Sequence, residues 1–428
     1  MKRVALAVVV VLGSVNFFSC GSYNSSVYKP PSGLTTRVLA SQSVSSPTAL
    51  PGLLIVDGAT DTLGRGGISA GGSPGLMAVS PNRTTLLAFD TASNGVVVVN
   101  ARTETSTGSV QLPGPTTSMV APGTNFGYAA VPAAPLIGSP QGAVVVMNLT
   151  GGGISATVGV PKAQTLVASP DGTQILVFST DSDAVTIFYP LLVNTPSPVT
   201  VTVPGFDRPV FGVFSSDGST AYILNCGPEC ASGTASASVQ ALNMATLTLV
   251  GSPVPVEGAT IGWLNGSTLY VAGNSPTNNL CSGQTTLATT CGRLDALDLD
   301  SMTVTNSVVI TDGYHNRIDM SSNGQLFIGS YNCTTIGNVN NPQGEVRGCL
   351  SIFDTTMSGN TTAIIPPDNG DVTAFQSFTS RNAEYVAEGG NLRVYDTTKD
   401  ILLVNSFIST GTVTITGKII DVKAIDFF

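Results

Sequence analysis

Residues 167–189 read VASPDGTQILVFSTDSDAVTIFY. An apolar run stops at Ser169-Pro170-Asp171-Gly172, and Asp-Gly between apolar runs is a strong hairpin signal because these residues accept the positive φ that tight turns need. A second apolar run, Gln174 to Ser179, follows at once, and after a polar break at Asp181 to Asp183 a third closes on Ile187-Phe188-Tyr189. Short strands this closely spaced predict an antiparallel meander. The unit returns along the chain. Runs of the same kind end at Asp57, Asn100, Asn148, Tyr189, Asn243, Asp298, Asp354 and Asp396, in steps of 41 to 56 residues. That step is the size of a four-stranded propeller blade.

Other units repeat the pattern. First strands end in turns such as Ser80-Pro81-Asn82, Ser215-Ser216-Asp217-Gly218 and Ser322-Asn323-Gly324, and fourth strands are short and rich in Thr and Val, as at Val199 to Val203. The chain starts inside a blade, with Thr36 to Ala40 as a second strand, Leu53 to Asp57 as a third and Thr62 to Gly64 as a short fourth. It ends on Ile419 to Phe427, which supplies the missing first strand and removes an exposed sheet edge. The expectation is an all-β, eight-bladed β-propeller closed by pairing its two ends. Seven blades is the alternative, should Gly52 to Asp57 be an extra outer strand.

Segments such as Val167-Ala168-Ser169-Pro170-Asp171-Gly172, Leu269-Tyr270-Val271-Ala272-Gly273-Asn274 and Ile352-Phe353-Asp354-Thr355-Thr356 resemble the bacterial YVTN-type propeller repeats, related in shape to quinoprotein and lactonase-like propellers. The likeness covers nearly all of the chain after Thr35. It implies a fold, since such families contain enzymes, binding modules and proteins without assigned activity.

Met1-Lys2-Arg3, the uncharged apolar stretch Val4 to Val15 and Phe17-Phe18-Ser19-Cys20-Gly21 have the order of a bacterial export signal, too short for a membrane span. The run resembles a lipoprotein signal peptide, which implies acylation, by palmitate among other chains, at Cys20 and anchorage to a membrane surface. The expected organisation is a signal peptide over 1–19, a flexible Ser/Gly/Pro-rich tether over 20–34 and a single propeller domain over 35–428. The expected location is the bacterial cell envelope, periplasmic or at the cell surface. Charged residues are only 10% of the chain, with 17 basic against 26 acidic side chains. A net charge of -9 argues against nucleic acid as a partner, because phosphates call for clustered Lys and Arg.

The six cysteines after Cys20 fall as Cys226/Cys230, Cys281/Cys291 and Cys333/Cys349, each pair between the second and third strands of one of three successive blades. An even count in an exported chain reads as disulfides, and local pairing is the simplest of the fifteen connectivities six cysteines allow. The loops so bridged are expected on one face of adjacent blades, either as a binding surface or as a shield for strand ends.

Chemistry-bearing residues are few. His315 is the only histidine, and with Arg317 and Asp319 it forms a weak catalytic candidate; a lone polar histidine at a loop exit is more often a rim residue. Arg208 and Glu257, at equivalent places in neighbouring blades, could share a polar channel mouth with it. One histidine excludes multi-histidine metal centres, and no GxSxG elbow is present. Asp368 and Asp371, in Asp368-Asn369-Gly370-Asp371, are a weak calcium candidate, with an ordinary polar turn as the competing reading. No cofactor is otherwise expected. The carboxylates and amides that close the third strands read as turn caps accepting backbone N–H groups. Trp263, the single tryptophan, is expected to pack between blades. The functional expectation is a lipid-anchored binding module for an envelope protein, a polymer or an extracellular ligand. A propeller hydrolase, lactonase-like or glycan-cleaving, is the first alternative and a structural surface component the second.

Overall fold

The computed structural model describes residues 29–44, 51–135, 140–190, 198–230, 233, 236–275, 279–280, 287–288, 291–334, 336–337, 346–366, 370–403 and 417–426. The predicted signal, Cys20, Cys281 and Asp368 lie outside them. The strands form eight radial sheets, each running outward from an inner strand.

Blade one joins both ends of the chain: Gly417–Ala424 inside, then Arg37–Val44, Gly52–Asp57 and Thr62–Ile68. Blade two comprises Pro74–Val79, Thr85–Asp90, Gly95–Asn100 and Thr105–Gln111, and blade three Ser118–Val120, Phe126–Val131, Ala143–Asn148 and Ile154–Gly159. Blade four holds Ala163–Ala168, Ile175–Ser179, Ala184–Tyr189 and Val199–Pro204, and blade five Pro209–Phe214, Thr220–Asn225, Ser238–Asn243 and Thr248–Pro255. Blade six holds Ile261–Asn265, Thr268–Ser275, Cys291–Asp298 and Thr303–Ile310. Blade seven has Tyr314–Met320, Gln325–Tyr331 and Leu350–Asp354, and blade eight Val372–Ser377, Ala383–Glu388, Asn391–Asp396 and Ile401–Leu402. The seven-bladed alternative is thereby excluded, because Gly52–Asp57 pairs on both sides as the third strand of blade one. Blade seven departs from the four-strand expectation. Its described outer edge is a two-bond bridge, with Ile352 and Ile364 exchanging N–H···O bonds of 2.8 Å.

The apolar core is not one mass but eight, each between two neighbouring blades. One lies between blades two and three around Leu87, Val98, Val131 and Val145; its equivalent between blades eight and one gathers Val38, Val56, Tyr385, Val394 and Ile419. This explains the sequence pattern. Second and third strands face a neighbouring sheet on both sides, so they read as nearly continuous apolar runs; Thr85–Asp90 and Ala143–Asn148 are buried almost throughout. Outer strands have one partner and open to water, so Thr105–Gln111 and Val199–Pro204 are Thr-rich and largely exposed.

In seven of the eight blades the residue that closes the third strand sets the next turn, blade four closing on Tyr189 instead. Oδ1 of Asp57, Asn100, Asn148, Asn243, Asp298, Asp354 and Asp396 accepts the N–H two residues on, at 2.8–3.0 Å. The residue four positions on then takes a left-handed conformation: Asp61, Glu104, Leu247, Met302 and Asp400 have φ of 52–55°, and Gly152 has 64°. Leu and Met rarely adopt this geometry, so the turn dictates it. These carboxylates are scaffold, as their spacing predicts.

Arg37 fastens the closure. Its Nε and Nη2 donate to the two carboxylate oxygens of Asp426 at 2.9 and 2.7 Å, and its Nη1 donates to Ala101 O and Glu104 Oε1 at 2.7 and 2.9 Å. Glu104 also accepts the backbone N–H and hydroxyl of Ser32 at 2.7 and 2.6 Å, so the end of the predicted tether is seated on the rim of blade two. Removing one member of a buried ion network typically costs about 3 kcal/mol or more, because the other charges lose their counter-ion. Arg37→Ala should therefore lower stability by about 3 kcal/mol in urea unfolding, and truncation before Gly417 should abolish a single cooperative transition. An unchanged midpoint in the variant would show that the clasp carries no weight.

Candidate active site

Three successive blades extend the loops between their second and third strands on one face. In blade five Cys226 and Cys230 are bridged, with Cα atoms 5.7 Å apart; in blade seven Cys333 and Cys349 are bridged at 5.4 Å. In blade six Cys291 is disulfide-bonded, and its expected partner Cys281 lies outside the described residues. The two longer loops fold back as two-residue ribbons, Asn279–Leu280 with Leu287–Ala288 and Ile336–Gly337 with Val346–Arg347.

The shortest bridge holds the most informative side chain. Between Cys226 and Cys230, Gly227–Glu229 makes one 3-10 turn, with Pro228 fixing φ and Cys230 donating its N–H to Gly227 O at 3.2 Å. The turn carries Glu229 against the end of blade six, where Oε2 accepts the Asn274 N–H at 2.8 Å and Oε1 accepts Asn274 Nδ2 at 3.2 Å. Burial pushes the Glu229 carboxyl up to about 7, against the pull of the Asn274 donors. A carboxyl poised near neutrality can both take and return a proton.

Glu229 borders a cavity of about 400 Å³ that reaches blades four and seven. Asp181, Arg208, Tyr314 and Tyr331 line it with Glu229, and Phe178 provides an apolar wall. Tyr314 and Tyr331 are register partners with ring centroids 5.2 Å apart. Burial pushes the Tyr314 phenol up to about 12, and the charges of Tyr331 and Glu229 add to the effect. Tyr331 is raised as well, by burial first. Both phenols are therefore neutral hydrogen-bond donors at ordinary pH. At the rim, Arg208 lies 3.8 Å from both Asp181 and Asp183, and Lys162 Nζ is 2.8 Å from Asp181.

A second cavity, about 350 Å³, lies on the axis and is lined by Arg317, Asp319, Asp421, Lys423, Trp263 and Phe375. Arg317 Nε donates to Thr373 O at 2.5 Å and Nη1 to Asn316 O at 2.7 Å. Asp319 accepts the N–H groups of Met320 and Ser377 at 2.8 and 3.0 Å. Burial raises Asp319, and burial plus the neighbouring Asp319 raises fully buried Glu384 well above the usual range. Two buried carboxyls side by side cannot both ionise, so the pair retains a proton.

The sequence candidates divide accordingly. Arg317 and Asp319 meet in the axial cavity, but His315 does not join them. It is fully buried, neither rim nor ligand-facing, with Nε2 2.9 Å from Thr311 O and its carbonyl accepting the Thr260 hydroxyl. Burial lowers it to about 4, so it stays neutral. Arg208 and Glu257 line different cavities rather than one mouth. Trp263 lines the axis while packing against the core between blades six and seven. Asp371 accepts the Asn332 N–H at 2.8 Å, its expected companion Asp368 is outside the described residues, and among the described residues no three acidic, histidine or cysteine side chains are placed to hold a metal. Glu229 was not singled out from the sequence. Its signal was an acid inside the tightest Cys–Cys loop.

No family model matches the chain, and no curated protein is similar to it in sequence. Solved structures do share its fold. The dihydro-haem d1 dehydrogenase NirN in complex with DHE has a TM-score of 0.56 at 11% identity, over 86% of this chain and 72% of that one. A provisionally named 6-phosphogluconolactonase from Bacteroides fragilis has a TM-score of 0.55 at 11% identity, over 92% and 98%. The Dos1 propeller has a TM-score of 0.56 at 11% identity, over 78% and 83%. The chain is thus an eight-bladed propeller related in shape to lactonase- and quinoprotein-type rings, and identities this low establish shape only.

Glu229 has a stability signature. Its carboxyl is raised on folding, so the native state binds the proton more tightly than the unfolded chain does. Its contribution is intact below pH about 4.5 and is lost as pH rises through about 7. Glu229→Gln should therefore raise the urea midpoint at pH 8 relative to the parent and change it little at pH 5. Equal shifts at both pH values would show an ordinary carboxylate.

Proposed function

We propose that this protein is an exported propeller hydrolase acting on a small ester or lactone in the disulfide-framed cavity, with Glu229 as the proton-transfer group. The observation that carries the reading is a buried carboxyl held near neutrality at the wall of a cavity that also presents two phenols and a guanidinium. In this scheme the Glu229 carboxylate takes a proton from water as the oxygen attacks the carbonyl carbon. Tyr314 and Tyr331 are the donors available to the oxyanion, and Glu229 returns its proton to the alkoxide that leaves. Arg208 at the rim suits a substrate carrying a carboxylate or phosphate. The fold is one that the provisionally named 6-phosphogluconolactonase also carries. The paucity of aromatic residues, 6% of the chain, disfavours a long sugar-stacking cleft and hence glycan cleavage.

The likeness to YVTN-type repeat proteins and the N-terminal pattern ending at Cys20 support an envelope location, with the propeller held to a membrane by acyl chains. A soluble, diffusible substrate fits such an enzyme better than a membrane-embedded one, because the acidic chain gains no attraction from anionic lipid.

The test is a panel of aldonolactones and aryl esters, with and without a phosphate, followed by pH-stat or absorbance between pH 5 and 9. Turnover should rise through a single ionisation near pH 7, and Glu229→Gln should lose about a hundredfold or more in kcat while KM changes little. Binding of panel members without any turnover would return the site to the role of a recognition module. For the anchor, Cys20→Ser should abolish incorporation of labelled palmitate and release the protein from membranes; an unchanged partition would remove the lipoprotein reading.

A further inference from the structure

Glu229 also borders a third, carboxylate-lined cavity of about 420 Å³ with Glu257 and Asp295, but those two carboxyls already receive the Ser275 hydroxyl and the Glu257 N–H, at 2.6 Å each. The axial cavity is the one whose lining has groups to spare. Six blades contribute residues to it, and its volume of about 350 Å³ is that of a small-molecule site. We infer that this axial cavity binds a small organic carboxylate with a flat apolar body, anchored on Arg317, at a site separate from the one read as hydrolytic.

The uncommitted groups on this lining are donors. Arg317 gives Nε to Thr373 O and Nη1 to Asn316 O, while its Nη2 donates to no described residue. Nor does any described carboxylate lie within ion-pair distance of it. Lys423 spends two of its three ammonium hydrogens, on Asp421 Oδ1 at 2.7 Å and Val422 O at 3.2 Å. The Ser118 hydroxyl accepts the Leu166 N–H at 3.1 Å and gives its own hydrogen to no described residue. The acids, by contrast, are supplied. Asp421 takes the N–H groups of Met77 and Val422 as well as the Lys423 ammonium, and Asp319 takes two backbone N–H groups and belongs to the carboxyl pair that retains a proton. What remains is a largely buried guanidinium without a counter-ion. Burial lowers it, and a carboxylate beside it would offset that cost through charge-assisted hydrogen bonds. One unopposed charge matches a monoanion better than a doubly charged phosphate. The walls set the rest of the ligand, since Trp263 and Phe375 are aromatic and Leu76, Met77 and Ile318 aliphatic.

The chain carries its own reporter. Trp263 is its only tryptophan and a wall of this cavity but not of the phenol-lined one, so its emission reads occupancy here without any turnover. The disulfide-intact mature protein is titrated at pH 7.5 with sodium benzoate, benzamide, benzylammonium chloride and phenyl phosphate while that emission is followed. Benzoate should change it along a one-site curve. Benzamide has the same shape without the charge, and it and benzylammonium should bind about tenfold or more weakly. Trp263 also borders a mainly apolar groove, which would not tell benzoate from benzamide. Arg317→Gln should weaken benzoate about tenfold or more, and Lys423→Gln should weaken it by a smaller factor. Lys423 is partly exposed and a glutamine amide can still donate to Asp421, so Lys423→Gln decides the matter should Arg317→Gln unfold. No change in emission at about 50 mM benzoate, equal binding of benzamide, tighter binding of phenyl phosphate, or indifference to both substitutions would each overturn the proposal.

Discussion

Ring closure is the constraint on which the rest depends. An open run of eight blades would leave one sheet face bare at each end and one strand row unpaired, and both invite association with other chains. Pairing Gly417–Ala424 with Arg37–Val44 removes both problems at once. The closing strand also builds the axis. Its Asp421 accepts the Met77 N–H at 2.7 Å and pairs with Lys423 at 2.7 Å, and both side chains face the axial cavity beside Arg317 and Asp319. The C-terminal strand therefore closes the ring and also lines the axial cavity with charged side chains. The Arg37 clasp, by joining Asp426 to Glu104, ties that strand to the rim of blade two as well as to blade one.

Given closure, the eight inter-blade cores explain how a chain of only 10% charged residues holds its fold. Each core is shared by two sheets, so no blade can bury its faces alone and stability accumulates by neighbour pairs. Thr, Ser and Asn on the outer strands meet water without charge. The recurring Asx caps reconcile this with tight turns, since one side-chain oxygen takes over donors that the strand has released and lets Leu247 or Met302 occupy a left-handed position. Nothing in that arrangement is specific to a ligand, which is why the abundant Asp and Asn residues were poor guides to function.

The fold was legible because it is written in repetition. Runs closing on Asp or Asn, Asp-Gly turns and a terminal strand lacking a partner all report local rules that tertiary structure did not override. Blade seven was the exception, since the Ile352–Ile364 bridge replaces a strand and no local pattern announced it. The site was far less legible. Cysteine spacing located the loops correctly, but Glu229 gains its character from Asn274 in the next blade, and Tyr314 meets Tyr331 only through cross-strand register. His315 drew attention by being unique. It is buried for packing, and uniqueness in sequence carries no information about what surrounds a ring.

The position of Glu229 gives the two cavities a common variable. One oxygen pattern, held by Asn274, faces the phenol-lined cavity and the carboxylate-lined one together, so the charge on Glu229 contributes to the potential in both. A cation next to a carboxyl stabilises its ionised form, and an anion destabilises it. A charge entering either cavity therefore acts on Glu229 without any movement of the scaffold, and the Cys226–Cys230 bridge holds the one short turn that keeps this carboxyl between two blades.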